Sequence, residues 1–242
     1  MHITSGQLDQ CSMNTRSTTI DIMTHYWKPS PNALVSLLHE RLDEHLHQSE
    51  LSTRAIIAIA GPPGSGKTTL ATILKLLLEP QYGTVPLVPM DGFHLPSADL
   101  ERMGCTNIKG HPSTFDSVAY LEFLKQVFHG NNQRAAPSFD HACGEPVLDA
   151  LPISSGTRVI ITEGNYLLSQ DPPWNDIRQY CSATLFLDVS WPICRERLIA
   201  RRHAIGQDQR SILDWVDRSD HANYAYAMQH SDISQSITVR EM

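Results

Sequence analysis

Apolar residues fall along the chain in two alternating rhythms. Leu34, Leu37, Leu38, Leu42 and Leu46 recur at helical spacing, so Pro31 to about Ser49 is read as an amphipathic helix. Ala55 to Ala60 is six consecutive apolar residues, the pattern of a parallel strand covered on both faces. A helix is predicted over Thr68–Leu78 and a second strand over Val85–Met90, the latter weakened by two prolines that cannot donate to a ladder. Phe115–Phe128 reads as a helix with Val118, Leu121, Leu124 and Phe128 on one face. Val159–Thr162 and Ala183–Leu187 read as the third and fourth strands. Pro192–His203 is a helix with proline in its first turn. A last helix is expected from Ile212 to about Gln229, and Ile237–Val239 as a closing strand. Strands alternating with helices imply an α/β fold, a mostly parallel sheet with helices on both sides.

The first 24 residues break this rhythm. They are rich in Ser, Thr, Gln, Asn and His, and cannot bury enough surface to offset the entropy of ordering. Residues 1–24 are therefore expected to be a disordered extension, and 25–242 one folded domain. Met13 and Met23 are alternative starts. A chain of 242 residues with 41% apolar content holds one large α/β core, not two enzymatic domains. The net charge of −7 argues against a nucleic-acid partner. Five cysteines, an odd number without Cys-x-x-Cys spacing, read as reduced thiols. No apolar run reaches the ~18 residues a bilayer span needs, and the start has no signal-peptide layout. A cytoplasmic protein with no membrane partner is the expectation. If the chain self-associates, a two-fold homodimer is the default.

The chemistry begins directly after the first buried strand. Gly61-Pro62-Pro63-Gly64-Ser65-Gly66-Lys67-Thr68 satisfies G-x-x-x-x-G-K-[ST], with a strand before it and a helix after it. Glycines let backbone N–H groups turn toward phosphates, and the helix N-terminus adds its positive end. Gly61, Gly64, Ser65, Gly66, Lys67, Thr68 and Thr69 are the expected ATP-binding set. Lys67 reaches the β- and γ-phosphates, and the Thr68 hydroxyl is placed for Mg²⁺. Asp91 follows the second strand, at the sheet edge where open α/β folds bind ligands. It reads equally as a base for a substrate hydroxyl or as a simple Asp-Gly turn. A guanine-reading Asn-Lys-x-Asp is absent, which disfavours a GTPase switch.

In order along the chain, the phosphate loop, Met90-Asp91-Gly92-Phe93-His94, Thr114-Phe115-Asp116 and Glu163-Gly164-Asn165-Tyr166 resemble the phosphoribulokinase/uridine kinase family of P-loop kinases. The resemblance spans residues 50 to 235, nearest to a uridine kinase-like branch related also to bacterial-type pantothenate kinase. It implies a three-layer P-loop fold with lid and acceptor-binding insertions. It also implies transfer of the ATP γ-phosphate to a hydroxyl of a small metabolite, with a non-catalytic nucleotide-binding relative as the alternative. Asp91 then becomes the base, and Glu163 a carboxylate for Mg²⁺ ahead of its rival Asp188. Phe93, His94, Asn165 and Tyr166 become acceptor-pocket residues. Four arginines, Arg195, Arg197, Arg201 and Arg202, crowd the helix after the fourth strand. On spacing alone they suit a solvated face. The resemblance makes them lid residues, with Arg201 and Arg202 as catalytic candidates and Arg197 at the nucleotide. Residues 95–115 are expected to be a long irregular acceptor loop carrying Lys109. Pro137-Ser138-Phe139-Asp140-His141 is similar to a substrate-side segment of the family. His141 and Glu145 stand where related branches carry arginine and aspartate, so the acceptor stays open. Asp220 and Asn223 match a polar pair of the branch.

Overall fold

The computed structural model describes residues 27–48, 54–130 and 132–241; the expected N-terminal extension lies outside them. Six strands form one sheet in the order β1–β8–β7–β2–β6–β3. These are β1 (Trp27–Lys28), β2 (Ala55–Ala60), β3 (Leu87–Pro89), β6 (Val159–Gly164), β7 (Ala183–Asp188) and β8 (Ile237–Glu241). All neighbours pair in parallel except β1, which runs antiparallel along β8. The remaining strands, β4 (Arg134–Asp140) and β5 (Glu145–Ile153), form a separate antiparallel hairpin.

The apolar runs end up where their chemistry sends them. Every residue of β2 is buried, because the strand lies between β6 and β7 and carries helices on both faces. Its alternation splits the core in two. Ile57 and Ile59 join Leu34, Leu38 and Leu42 of α1 (Pro31–Gln48) and Leu70 and Leu74 of α2 (Lys67–Tyr82). Ile56 and Ala58 face Tyr120, Leu124 and Val127 of α4 (Ser117–His129) together with Trp174 and Phe186. The two prolines of the second strand are accommodated because β3 is the sheet edge. The Pro86 carbonyl still accepts from the Ile161 N–H at 3.0 Å.

Several boundaries differ from the sequence expectation. Helix α2 passes Leu78 and continues through Pro80 to Tyr82, although Pro80 has no N–H to give the Lys75–Leu78 turn. On α4 the buried stripe is Tyr120, Leu124 and Val127, while Val118 is 67% exposed. Tyr120 can be the anchor because its phenol meets the Thr162 hydroxyl at 2.6 Å inside the core. The last helix starts early, where Asp208 caps the Ser211 N–H, and it is interrupted. Helix α6 (Gln209–Trp215) passes through a wide π turn, Val216–Asp220, into α7 (His221–His230). The stretch 95–115 is not irregular. It holds α3 (Ser97–Arg102) and two short 3₁₀ turns, Thr106–Ile108 and Pro112–Thr114.

The hairpin has no strand signature in the sequence, because most of β5 is solvent-exposed and gives no apolar alternation. Arg54 fixes its base. This arginine is 2% exposed and donates to the carbonyls of Thr157 (3.1 Å), Val127 (3.4 Å), Asn132 (2.9 Å) and Ser154 (3.1 Å). It joins the end of α4, the hairpin's two outer ends and the approach to β6.

Candidate active site

Parallel strands send their carboxyl ends to one side, so the loops after β2, β3, β6 and β7 share an edge. A cleft of about 300 Å³ opens there, lined by Gly64, Gly66, Lys67, Thr68, Thr69, Asp91, Glu163, Asn165, Arg197 and Arg201 among others. Residues as far apart in sequence as Gly64 and Arg201 thus meet at one place.

The phosphate loop is shaped by its glycines. Gly64 and Gly66 take φ values of +78° and +94°, which side chains rarely adopt. A Cβ at Gly64 would lie 2.6 Å from the Cys194 carbonyl of α5 (Trp191–Ala204), so the loop and that helix touch backbone to backbone. Ser65 Oγ is buried without a hydrogen-bond partner and faces back toward Gly61, so of the expected loop residues Ser65 does not line the cleft.

The charged groups hold one another. Lys67 is 8% exposed and donates to the Pro62 carbonyl at 3.0 Å and to Asn165 Oδ1 at 2.8 Å. Burial lowers its pKa, opposed by the nearby Glu163 and Asp91 carboxylates. Thr68 Oγ1 donates to Glu163 Oε1 at 3.0 Å. Burial raises the Glu163 pKa, opposed mainly by Lys67. Thr68 and Glu163 thus present two oxygen donors side by side. Among the described residues no group of three His, Cys, Asp or Glu could hold a metal. An oxygen pair of this kind fits Mg²⁺, which takes one or two protein ligands and completes its shell with water and phosphate.

Asp91 sits in a 3₁₀ turn, Met90–Phe93, with its side chain 41% exposed to the cleft. Gly92 beside it is required by close approach: a Cβ there would be 2.4 Å from the Pro137 carbonyl of β4. His94 Nδ1 lies 2.9 Å from the Asp91 carbonyl, and its ring packs between Phe115 (3.9 Å) and Phe139 (4.7 Å). Burial lowers its pKa, against the pull of Asp91. A neutral ring at that distance carries its proton on Nδ1 and donates it to the carbonyl.

The other expected residues separate into near and far. Arg201 lines the cleft. Its neighbour Arg202 points elsewhere, pairing with Asp220 at 3.2 Å and lying 5.2 Å over the Trp215 ring. Arg195 pairs with Asp217 at 2.6 Å. Asp188 pairs with Arg240 at 3.0 Å, between β7 and β8. Phe93 is buried edge-on against Tyr120, in the wall and not in the cleft. Tyr166 is 1% exposed and its hydroxyl donates to the Gly110 carbonyl at 2.6 Å, pinning the acceptor-side segment. Lys109 reaches the Gly144 carbonyl at the hairpin turn at 2.5 Å and lies 5.5 Å from the Phe139 ring centre. His141 stands exposed at the same turn, 5.2 Å from Phe139 ring to ring. Glu145, also on the hairpin, accepts from the Ser97 N–H at 3.2 Å.

A strand, a glycine-rich phosphate loop and a helix at the carboxyl edge of a parallel sheet, with acids at the ends of β6 and β3, define a P-loop kinase fold. A family model described as ABC transporter matches residues 47–138. That is less than half of the chain, and it contains the strand, loop and helix that P-loop proteins of many functions share. The chain is 31% identical over 199 residues to a Schizosaccharomyces pombe protein provisionally named a uridine kinase, covering 78% of this chain and 84% of that one. It is 36% identical over 153 residues to the pantothenate kinase of Shewanella putrefaciens, covering 62% of this chain and 48% of that enzyme. A crystal structure from Silicibacter sp. TM1040, provisionally a fructose transport system kinase, superimposes with a TM-score of 0.77 at 30% identity. It covers 84% of this chain and 98% of that one. The chain belongs to the phosphoribulokinase/uridine kinase family of P-loop kinases. Membership implies use of a nucleotide. Among the described residues no helix is long and apolar enough to cross a membrane.

Proposed function

We propose that this protein transfers the γ-phosphate of ATP to a hydroxyl group of a small metabolite. The observation that carries the reading is the meeting of Asp91 with the phosphate loop, Glu163 and Arg201 in one cleft. Lys67 and the loop N–H groups hold the β- and γ-phosphates. Asp91, exposed on the side of the acceptor insertions, takes the proton of the attacking hydroxyl. Arg201 meets the charge that spreads over the moving phosphoryl group. Thr68 and Glu163 would hold Mg²⁺, which when bound neutralises phosphate charge. Asn165 orients Lys67 through its 2.8 Å hydrogen bond.

The acceptor is read by other groups. His94, Phe115 and Phe139 make an aromatic wall beside Asp91, with Lys109 and His141 at its rim. The partly exposed Phe139 ring, with the Lys109 ammonium beside it, suits a polyhydroxylated acceptor such as a nucleoside or a sugar. Relatives named for uridine, pantothenate and fructose supply the first compounds to test.

The experiment is ADP release from Mg·ATP in the presence of uridine, cytidine, pantothenate, fructose and related sugars. Lys67→Ala serves as the control. One acceptor should raise turnover by orders of magnitude, and Asp91→Asn should remove that turnover while ATP still binds. Near-normal phosphorylation by Asp91→Asn would end its role as base.

A further inference from the structure

The cleft has a wall that the motifs do not supply. Arg197, on α5, lines the cleft beside Gly66. Its guanidinium is oriented from two sides. Nη2 donates to Glu241 Oε1 at 2.5 Å, and Nη1 lies 3.5 Å from the Ser65 carbonyl of the phosphate loop. Glu241 is the last residue of β8 and its side chain is 11% exposed. Its second oxygen, Oε2, is buried with no partner. Across the ladder Glu241 is paired with Trp27, whose indole is buried and stands 3.5 Å from where a Gly66 Cβ would be. The antiparallel β1–β8 edge therefore reaches the phosphate loop through both members of its Trp27–Glu241 pair.

A largely buried carboxylate next to a phosphate site calls for an explanation, because its charge repels the ligand. One that merely filled space would be costly, since an unpartnered buried oxygen loses its hydration. Its geometry gives it a use. An arginine side chain has many rotamers, and a bidentate anion site needs the guanidinium plane held before the ligand arrives. Glu241 fixes one edge of that plane and the Ser65 carbonyl the other, leaving the remaining N–H groups free for the cleft. Trp27 Cζ2 and Arg197 Nη1 lie 3.5 and 3.9 Å from the same point, where a Gly66 Cβ would be, so the indole borders the space the guanidinium occupies.

We propose that Glu241 is a positioning residue that sets Arg197 for the nucleotide's phosphates, with Trp27 as the wall that keeps it there. The inference rests on the reading of the cleft as a nucleotide site, though not on which acceptor is used.

The test is equilibrium binding of ADP and ATP by calorimetry, without acceptor, to the full chain and to Glu241→Ala, Glu241→Gln, Arg197→Ala and the Arg197→Ala/Glu241→Ala double variant. Glu241→Ala should weaken binding about tenfold. Glu241→Gln keeps an oxygen for Arg197 and loses the repelling charge, so it should bind at least as well as the parent. In the Arg197→Ala background, removing Glu241 should cost nothing further, because the effect passes through the arginine. Trp27 fluorescence, compared with Trp27→Phe, should change on nucleotide binding. Tighter binding by Glu241→Ala would show that the carboxylate acts only by repulsion and would overturn the proposal. So would equal losses from Glu241→Ala with and without Arg197. Failure of the parent chain to bind either nucleotide would instead refute the nucleotide site itself.

Discussion

Gly92→Ala is the smallest change that tests how the hairpin and the phosphate-transfer site are joined. The added methyl carbon would sit 2.4 Å from the Pro137 oxygen and 2.7 Å from its carbonyl carbon. Ordinary van der Waals contact begins near 3.4 Å, so the hairpin must retreat by about 1 Å. Neither partner is a flexible side chain. Pro137 lies at the register shift between Ala136 and Ser138, where β4 bulges and its carbonyl approaches the Asp91 turn. Overpacking of this kind costs about 1–3 kcal/mol. In a chain of this length that lowers Tm by roughly 2–4 °C for each kcal/mol. The functional loss should be larger than the stability loss suggests. A displacement of about 1 Å between reacting groups costs on the order of 100-fold in rate. Calorimetry gives the Tm, ADP release at saturating ATP gives acceptor kcat/KM, and titration calorimetry gives ADP affinity. The expected pattern is a lower Tm, a large fall in acceptor kcat/KM and an ADP affinity within twofold of the parent. An unchanged Tm with unchanged acceptor turnover would refute the backbone contact as described. A fall in ADP affinity as large as the fall in turnover would show that the strain is relieved through the phosphate loop.

Three further outcomes follow from the same geometry. Arg54→Met should lower unfolding free energy by about 3 kcal/mol in urea denaturation, since four carbonyls lose a charged donor in a buried site. Arg201→Ala should reduce kcat with little change in Tm, whereas Arg202→Ala should lower Tm by breaking the pair with Asp220; the reverse pattern would show the two assignments exchanged. Burial depresses the His94 pKa below about 6.5, so the unfolded chain binds the proton more readily. Stability should be intact above the unfolded value and fall as pH drops from there toward the folded value, and His94→Gln should flatten that fall in Tm-versus-pH scans.

The two ends of the site differ in how legible they were. Lys67, Thr68, Asp91 and Glu163 lie in short contiguous patterns, each at the end of an apolar run, and the carboxyl edge of a parallel sheet is bound to gather them. Arg201 and Arg202 could not be told apart, because adjacent residues on a helix point about 100° apart and no spacing says which faces the cleft. Asn165 was visible as part of a motif, but its hold on Lys67 depends on side-chain direction. Glu241 stands 44 positions beyond its partner Arg197, in a strand with no motif. The hairpin escaped the helix-and-strand reading since Pro137, Pro146 and Pro152 mask a ladder whose outer face is wet. Only its Phe139 segment stood out, by resemblance. The π turn at Val216–Asp220 has no signature in residue types that we can identify.

Everything assigned to the acceptor insertions, from the Asp91 turn to the far strand of the hairpin, is encoded in one uninterrupted stretch between β3 and β6. The nucleotide side is assembled from distant parts: the loop after β2, the end of β6, α5 and the final strand. An exchange of that single cassette between relatives would re-aim the protein at a new metabolite and leave the phosphate donor untouched. The inherited seams are Arg54 at the hairpin's base, Tyr166 on Gly110, and the packing of Tyr120, Leu124 and Val127 of α4 on the sheet, whereas the Gly92 crossing lies within the cassette. A recombined gene would have to keep those seams, the α4 packing above all, to preserve the joint.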